Sequence, residues 1–168
     1  MANINNIEIS DDTLKLIRRI INFNNLQTVD KKDLIIQCFN SLRLDNGMNE
    51  LDIENFNFTC PTAGNWNEKD KIFSISYSNF NPNIPQIIST ILHEFRHCWQ
   101  YFNKLELDNL IQQNLDGPLS DSYTEYHIQP IEQDAFRFEH DATSFITQNG
   151  KKNEKLLGLI TIWDIINL

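Results

Sequence analysis

The run His93-Glu94-Phe95-Arg96-His97 constrains this chain more than any other feature of its sequence. Two histidines four residues apart stand one above the other on a single face of an α-helix, because a turn takes 3.6 residues. The segment is therefore read as helical, and Pro85 suits the first turn of a helix that continues to about residue 105. Projected at about 100° per residue, the helix places Ile88, Ile91, Phe95, Cys98, Trp99 and Phe102 on one side. His93, Glu94, Arg96, His97 and Gln100 fall on the other, opposite the apolar stripe.

Stacked imidazoles at this spacing are suited to binding one Zn²⁺. Glu94 follows the first imidazole and points about 100° around the helix, towards a water beside the ion rather than the ion itself, where a general base belongs. The bland alternative is a solvated polar face carrying two unrelated histidines. A catalytic zinc takes three protein ligands, so one more is required. Glu125, His127, Glu132, Asp134, Glu139, His140 and Asp141 are the downstream candidates. Glu132 stands out because Pro130 opens a helix just before it and Ala135 follows, a small residue that lets two helices approach closely.

The remaining chain predicts an alternation of helices and short strands, hence an α+β fold. Ser10 followed by Asp11 and Asp12 reads as a helix start, with Leu14, Ile17, Ile20 and Ile21 as its apolar stripe to about residue 24. A second helix starts after Thr28 or Asp30 and runs to about Leu42, and Asp45-Asn46-Gly47 is a turn. A strand is expected over 51–59 with a slip in alternation near Asn55, a loop over 60–67, and a strand over 72–77 with one face buried. Residues 106–129, with a Gly117-Pro118 turn, read as a long functional connection. The helix from Pro130 ends at Gly150, and 154–168 read as a closing helix, with a strand as the alternative that their β-branched content leaves open.

With 168 residues, of which 40% are hydrophobic, the chain is expected to form one domain over 1–168. A formal net charge of −9 argues against nucleic acid or an anionic membrane surface as partners. Three cysteines, Cys38, Cys60 and Cys98, lack framework spacing and read as free thiols. The first dozen residues carry no signal-peptide pattern and no apolar run reaches membrane-spanning length, which makes the cytoplasm the expected location.

The segment Thr90-Ile91-Leu92-His93-Glu94-Phe95-Arg96-His97-Cys98-Trp99-Gln100, followed by Tyr126-His127-Ile128-Gln129-Pro130-Ile131-Glu132-Gln133-Asp134-Ala135, resembles the gluzincin metallopeptidases. These share HExxH with a downstream Glu in an E-x-x-A setting, and the likeness covers roughly residues 84–145. It implies a zincin-like fold: a small mixed or antiparallel sheet, an active-site helix, and a second helix that supplies the third ligand. It further implies zinc as cofactor, a peptide or protein substrate, His93, His97 and Glu132 as ligands, and Glu94 as base. Tyr126 is the favoured oxyanion donor, with Tyr123 and His127 as rivals, and the strand over 72–77 is a candidate edge for an extended peptide. A non-catalytic zinc-containing regulatory or interaction module is the alternative. Two departures stand out. Phe136 occupies the position where many gluzincins carry an Asp that orients a ligating histidine, leaving Asp134 and Asp141 as substitutes. Arg96 replaces a small residue and is expected to pair with a nearby acid or narrow the site.

Overall fold

A computed structural model describes residues 1–21, 28–76, 84–103 and 129–149. They form an α+β fold in which four helices surround two small sheets. The chain opens with a hairpin that sequence reading passes over: β1 (Ala2–Ile4) pairs antiparallel with β2 (Ile7–Ile9). Its turn is Asn5-Asn6, with φ of 49° and 68°. Positive φ at both central residues is the type I′ geometry that matches strand twist, and Asn tolerates it. Ile7 and Ile9 are fully buried.

Helix α1 (Asp11–Ile21) starts where its capping pattern places it, and the Thr13 amide donates to Ser10 Oγ at 3.1 Å. Helix α2 (Thr28–Asp45) runs three residues beyond the expected end at Leu42. Gly47, at φ 74°, then reverses the chain and its amide closes on the Leu44 carbonyl. The two helices are tied where α2 ends, since Asp45 accepts from the Ser10 amide and the Thr13 hydroxyl.

The second sheet corrects three expectations. Residues 51–59 are not one strand: a 3-10 turn (Ile53–Asn55) precedes β3, which is only Phe56–Asn57. The expected loop over 60–67 is strand β4 (Thr59–Asn67), whose register against β5 (Ile72–Ser76) shifts between Thr59 and Gly64. Extra residues that bulge from a ladder disguise its alternation, which is why Pro61 and Gly64 read as loop. The order is β3-β5-β4, with β3 parallel and β4 antiparallel to β5. Strand β5 is therefore central and is buried on both faces, Ser74 and Ser76 included, instead of on one. Being central, β5 is not a sheet edge; the two edges are β4 and the two-residue β3.

The core gathers on Phe39 of α2. Its ring stacks on Phe73 at 4.2 Å and meets Phe56, Trp66 and Phe95 at about 6 Å in tilted or edge contacts. Phe95 belongs to helix α3 (Ile84–Phe102), so the core anchors the apolar side of the histidine-bearing helix. Its polar side is covered too, by helix α4 (Pro130–Asn149) and by β4, and every residue from 91 to 100 is buried. The solvated-face alternative for His93 and His97 is thereby removed. Cys38, Cys60 and Cys98 are all free and buried, Cys60 in β4. Among the described residues no helix is long and apolar enough to cross a membrane. The expected closing helix over 154–168 and the connection over 106–128 lie outside the described residues.

Candidate metal centre

Helix α3 supplies His93 and His97, one turn apart, and the first turn of α4 supplies Glu132. The three side chains converge: His93 Nε2 and His97 Nε2 lie 3.2 Å apart, and the Glu132 carboxylate faces both, Oε2 at 3.2 Å from His93 Nε2 and Oε1 at 3.3 Å from His97 Nε2. With one ligand atom taken from each, the three lie within 4.8 Å of one another. A tetrahedral ion with ligands at about 2.0–2.1 Å has donor–donor edges of roughly 3.3–3.4 Å. The two imidazole nitrogens stand close to that spacing, and the two imidazoles with one carboxylate are the donor chemistry such an ion takes. Ala135 is fully buried, as expected for a residue that lets α4 sit close to α3.

Each histidine is held from behind. His93 Nδ1 faces Glu139 Oε2 at 3.2 Å, and Ser89 Oγ donates to the other oxygen of the same carboxylate. Phe136 lies against the His93 ring with centroids 4.6 Å apart. Glu132, Phe136 and Glu139 recur at the spacing of one helical face, so all three reach His93. Glu139, one turn beyond Phe136, thus makes the contact to a histidine that was expected of Asp134 or Asp141. Asp134 and Asp141 do not take that part: Asp134 binds Arg96 through Nε at 2.7 Å and Nη2 at 3.0 Å, and Asp141 accepts from Asn5. Arg96 therefore does find its acid. His97 Nδ1 lies 2.8 Å from Gln100 Oε1. Neither Gln100 nor Glu139 was singled out by sequence as an orienting residue; the period of seven between Glu132 and Glu139 was the available signal.

Glu94 is brought to the site by two elements. From α3 it points towards β4, where the Trp66 amide donates to its Oε2 at 2.8 Å. That approach depends on Gly64: a Cβ there would come within 2.3 Å of Thr90 Cγ2 and 2.9 Å of Glu94 Cγ. Burial raises the Glu94 pKa above the ordinary carboxylate value; the His93 and His97 charges oppose this, Glu132 adds to it, and the Trp66 amide opposes it. A carboxylate tuned upward is better suited to taking and returning a proton near neutral pH. Tyr126, with its rivals Tyr123 and His127, lies outside the described residues.

Residues 11–149 match the family described as Protein of unknown function (DUF3920). The chain belongs to this family. The match runs from the first residue of α1 to the last of α4, so the family region contains His93, Glu94, His97, Glu132 and Glu139, whereas the β1–β2 hairpin precedes it. Neither the curated proteins nor the solved structures give a match.

Proposed function

We propose that this DUF3920 member is a zinc-dependent peptidase of the gluzincin type. The observation that carries the reading is the buried convergence of His93, His97 and Glu132, whose ligand atoms lie within 4.8 Å of one another, with the Glu94 carboxylate on the same helix as the histidines hydrogen-bonded to the Trp66 amide. A structural zinc has no use for such a base, and the three protein donors leave one tetrahedral position for solvent or substrate.

A divalent ion bound there supplies Lewis acidity, which polarises a scissile carbonyl and acidifies water. Glu94 takes the proton of the attacking water and passes it to the leaving amine, and its Trp66 hydrogen bond fixes the carboxylate for both transfers. His93, His97, Glu132 and Glu94 are nearly shut off from bulk water, which strengthens the electrostatics at the reacting carbonyl. We assign the extended substrate to β4, the edge strand beside Glu94, in place of β5.

Metal analysis of the purified protein, combined with a peptide-library digest, tests the reading with Glu94→Gln as control. Both proteins are expected to carry one zinc per chain. Only the wild type should cleave, with loss of about 10²–10⁴-fold or more in the variant. Absence of metal from both proteins, or wild-type turnover by Glu94→Gln, would sink the proposal.

A further inference from the structure

Gln100 is an uncharged polar side chain that meets the cluster through the His97 ring, and it is fully buried. Its amide nitrogen lies 2.9 Å from the Ile131 carbonyl oxygen and 2.7 Å from Asp134 Oδ2. Asp134 in turn receives two N–H groups of the Arg96 guanidinium. A carboxylate engaged in that way, like a backbone carbonyl, only accepts. The primary amide of Gln100 has two hydrogens, and these two acceptors use both.

The orientation of the amide follows. Flipping it would aim its carbonyl oxygen at a carbonyl and a carboxylate, two acceptors facing a third, and would exchange two donations for at most one, to His97 Nδ1. The oxygen must therefore face His97, and it can only accept. His97 Nδ1, 2.8 Å away, has to carry the hydrogen, which leaves the Nε2 lone pair towards Glu132 and His93.

We propose that Gln100 is a positioning residue of the centre: its amide, oriented by Asp134 and the Ile131 carbonyl, locks His97 in the tautomer and ring rotation that present Nε2 to the ion. The two histidines are thus held by unlike partners, an anionic carboxylate for His93 and a neutral amide for His97. The role of this lock rests on the metal-centre reading, but the tautomer it dictates exists without any ion.

The test uses Gln100→Met, which keeps the side-chain length and removes both ends of the amide. Long-range proton–nitrogen spectra of the metal-free protein report which His97 nitrogen carries the hydrogen. Zn²⁺ titration against a chromophoric chelator reports affinity. Wild type should show the hydrogen on Nδ1, and Gln100→Met should lose that single tautomer and bind Zn²⁺ roughly 10–100-fold more weakly. A merely structural glutamine would lower the unfolding midpoint and leave tautomer and affinity alone. Should Gln100→Met not fold, Asp134→Asn loosens the amide from its charged acceptor, and the same loss of tautomer with a smaller fall in affinity is expected. A wild-type hydrogen on Nε2, or a variant with unchanged tautomer and affinity, overturns the inference. A wild type that binds no Zn²⁺ defeats the peptidase reading instead, and the tautomer spectrum still decides on Gln100.

Discussion

At the residue scale, His93 joins the chemistry of the centre to its pH dependence. Burial alone pushes its pKa down, yet the Glu132 and Glu139 hydrogen bonds and the Glu94 charge outweigh burial and hold it above the ordinary imidazole value. Glu132 is the counterpart: burial pushes it up, and His93 and His97 outweigh that and hold it below the ordinary carboxylate value. A raised imidazole stabilises the metal-free fold fully below about pH 6.5, and that contribution is lost as pH rises through the folded value. The depressed carboxylate contributes above its ordinary value of about 4.3 and loses its share as pH falls through the folded one. Metal-free protein should therefore lose stability on the alkaline side, and metal uptake near neutral pH should release a proton from His93. Urea unfolding in chelator from about pH 5 to about pH 10 checks the first expectation. Calorimetric titration in buffers of different ionisation enthalpy checks the second, and flat stability with no proton release would contradict both. The convergence of His93, His97 and Glu132 was legible because HExxH spacing and a Pro-initiated helix are local signals. Their orienting partners were not, because Gln100 and Glu139 gain their parts only from how α3 and α4 are packed.

Between elements, the decisive contact is β4 against α3, and it was the least legible in the sequence. Pro61 and Gly64 mark a loop in a reading by periodicity, whereas here Gly64 marks the place where a strand passes close to a helix. Helices α1 to α4 were legible because each carries an apolar stripe or a terminal signal that needs no partner to be recognised. Strand order is a non-local property, so the exchange of edge between β5 and β4 could not be read from alternation. Gly64→Ala tests the contact. The new methyl meets Thr90 Cγ2 and Glu94 Cγ, so β4 must move outward or Glu94 must turn away from the Trp66 amide. A destabilisation of about 1–3 kcal/mol in urea unfolding is expected from this overpacking. Hydrolysis should fall while zinc affinity stays near wild type, since none of the three proposed ligands lies on β4. Adding Thr90→Ser removes one of the opposing carbons and should recover part of the loss, whereas full additivity of the two changes would show that they do not meet.

Across the whole molecule, the β1–β2 hairpin lies outside the 11–149 family region yet is fastened to the helices that carry His93, His97 and Glu132. Arg96 is the fastener: it crosses from α3 to Asp134 on α4, sends Nη1 to the Asn5 carbonyl at 2.8 Å, and lies over the Trp99 ring at 4.3 Å. Asn5 then reaches Asp141 further along α4, while Glu8 and Ser10 bind Asn46 and Asp45 where α2 ends. The hairpin thus closes a ring of contacts around α2, α3 and α4 and limits how far α4, with Glu132, can drift from the histidines. Arg96→Met keeps the apolar stem against Trp99 and removes the charge. Asp134 then keeps the Gln100 amide and the Arg137 charge, and breaking a buried pair in this way costs roughly 3 kcal/mol, the lower edge of the usual range because Asp134 retains some contact with solvent. Hydrogen exchange should quicken at the amides of the hairpin, and zinc affinity should fall because the acceptor that orients Gln100 has lost its anchor. A loss below about 1 kcal/mol would mean the pair acts as a surface ion pair, and the hairpin would then contribute little to holding α4 against α3.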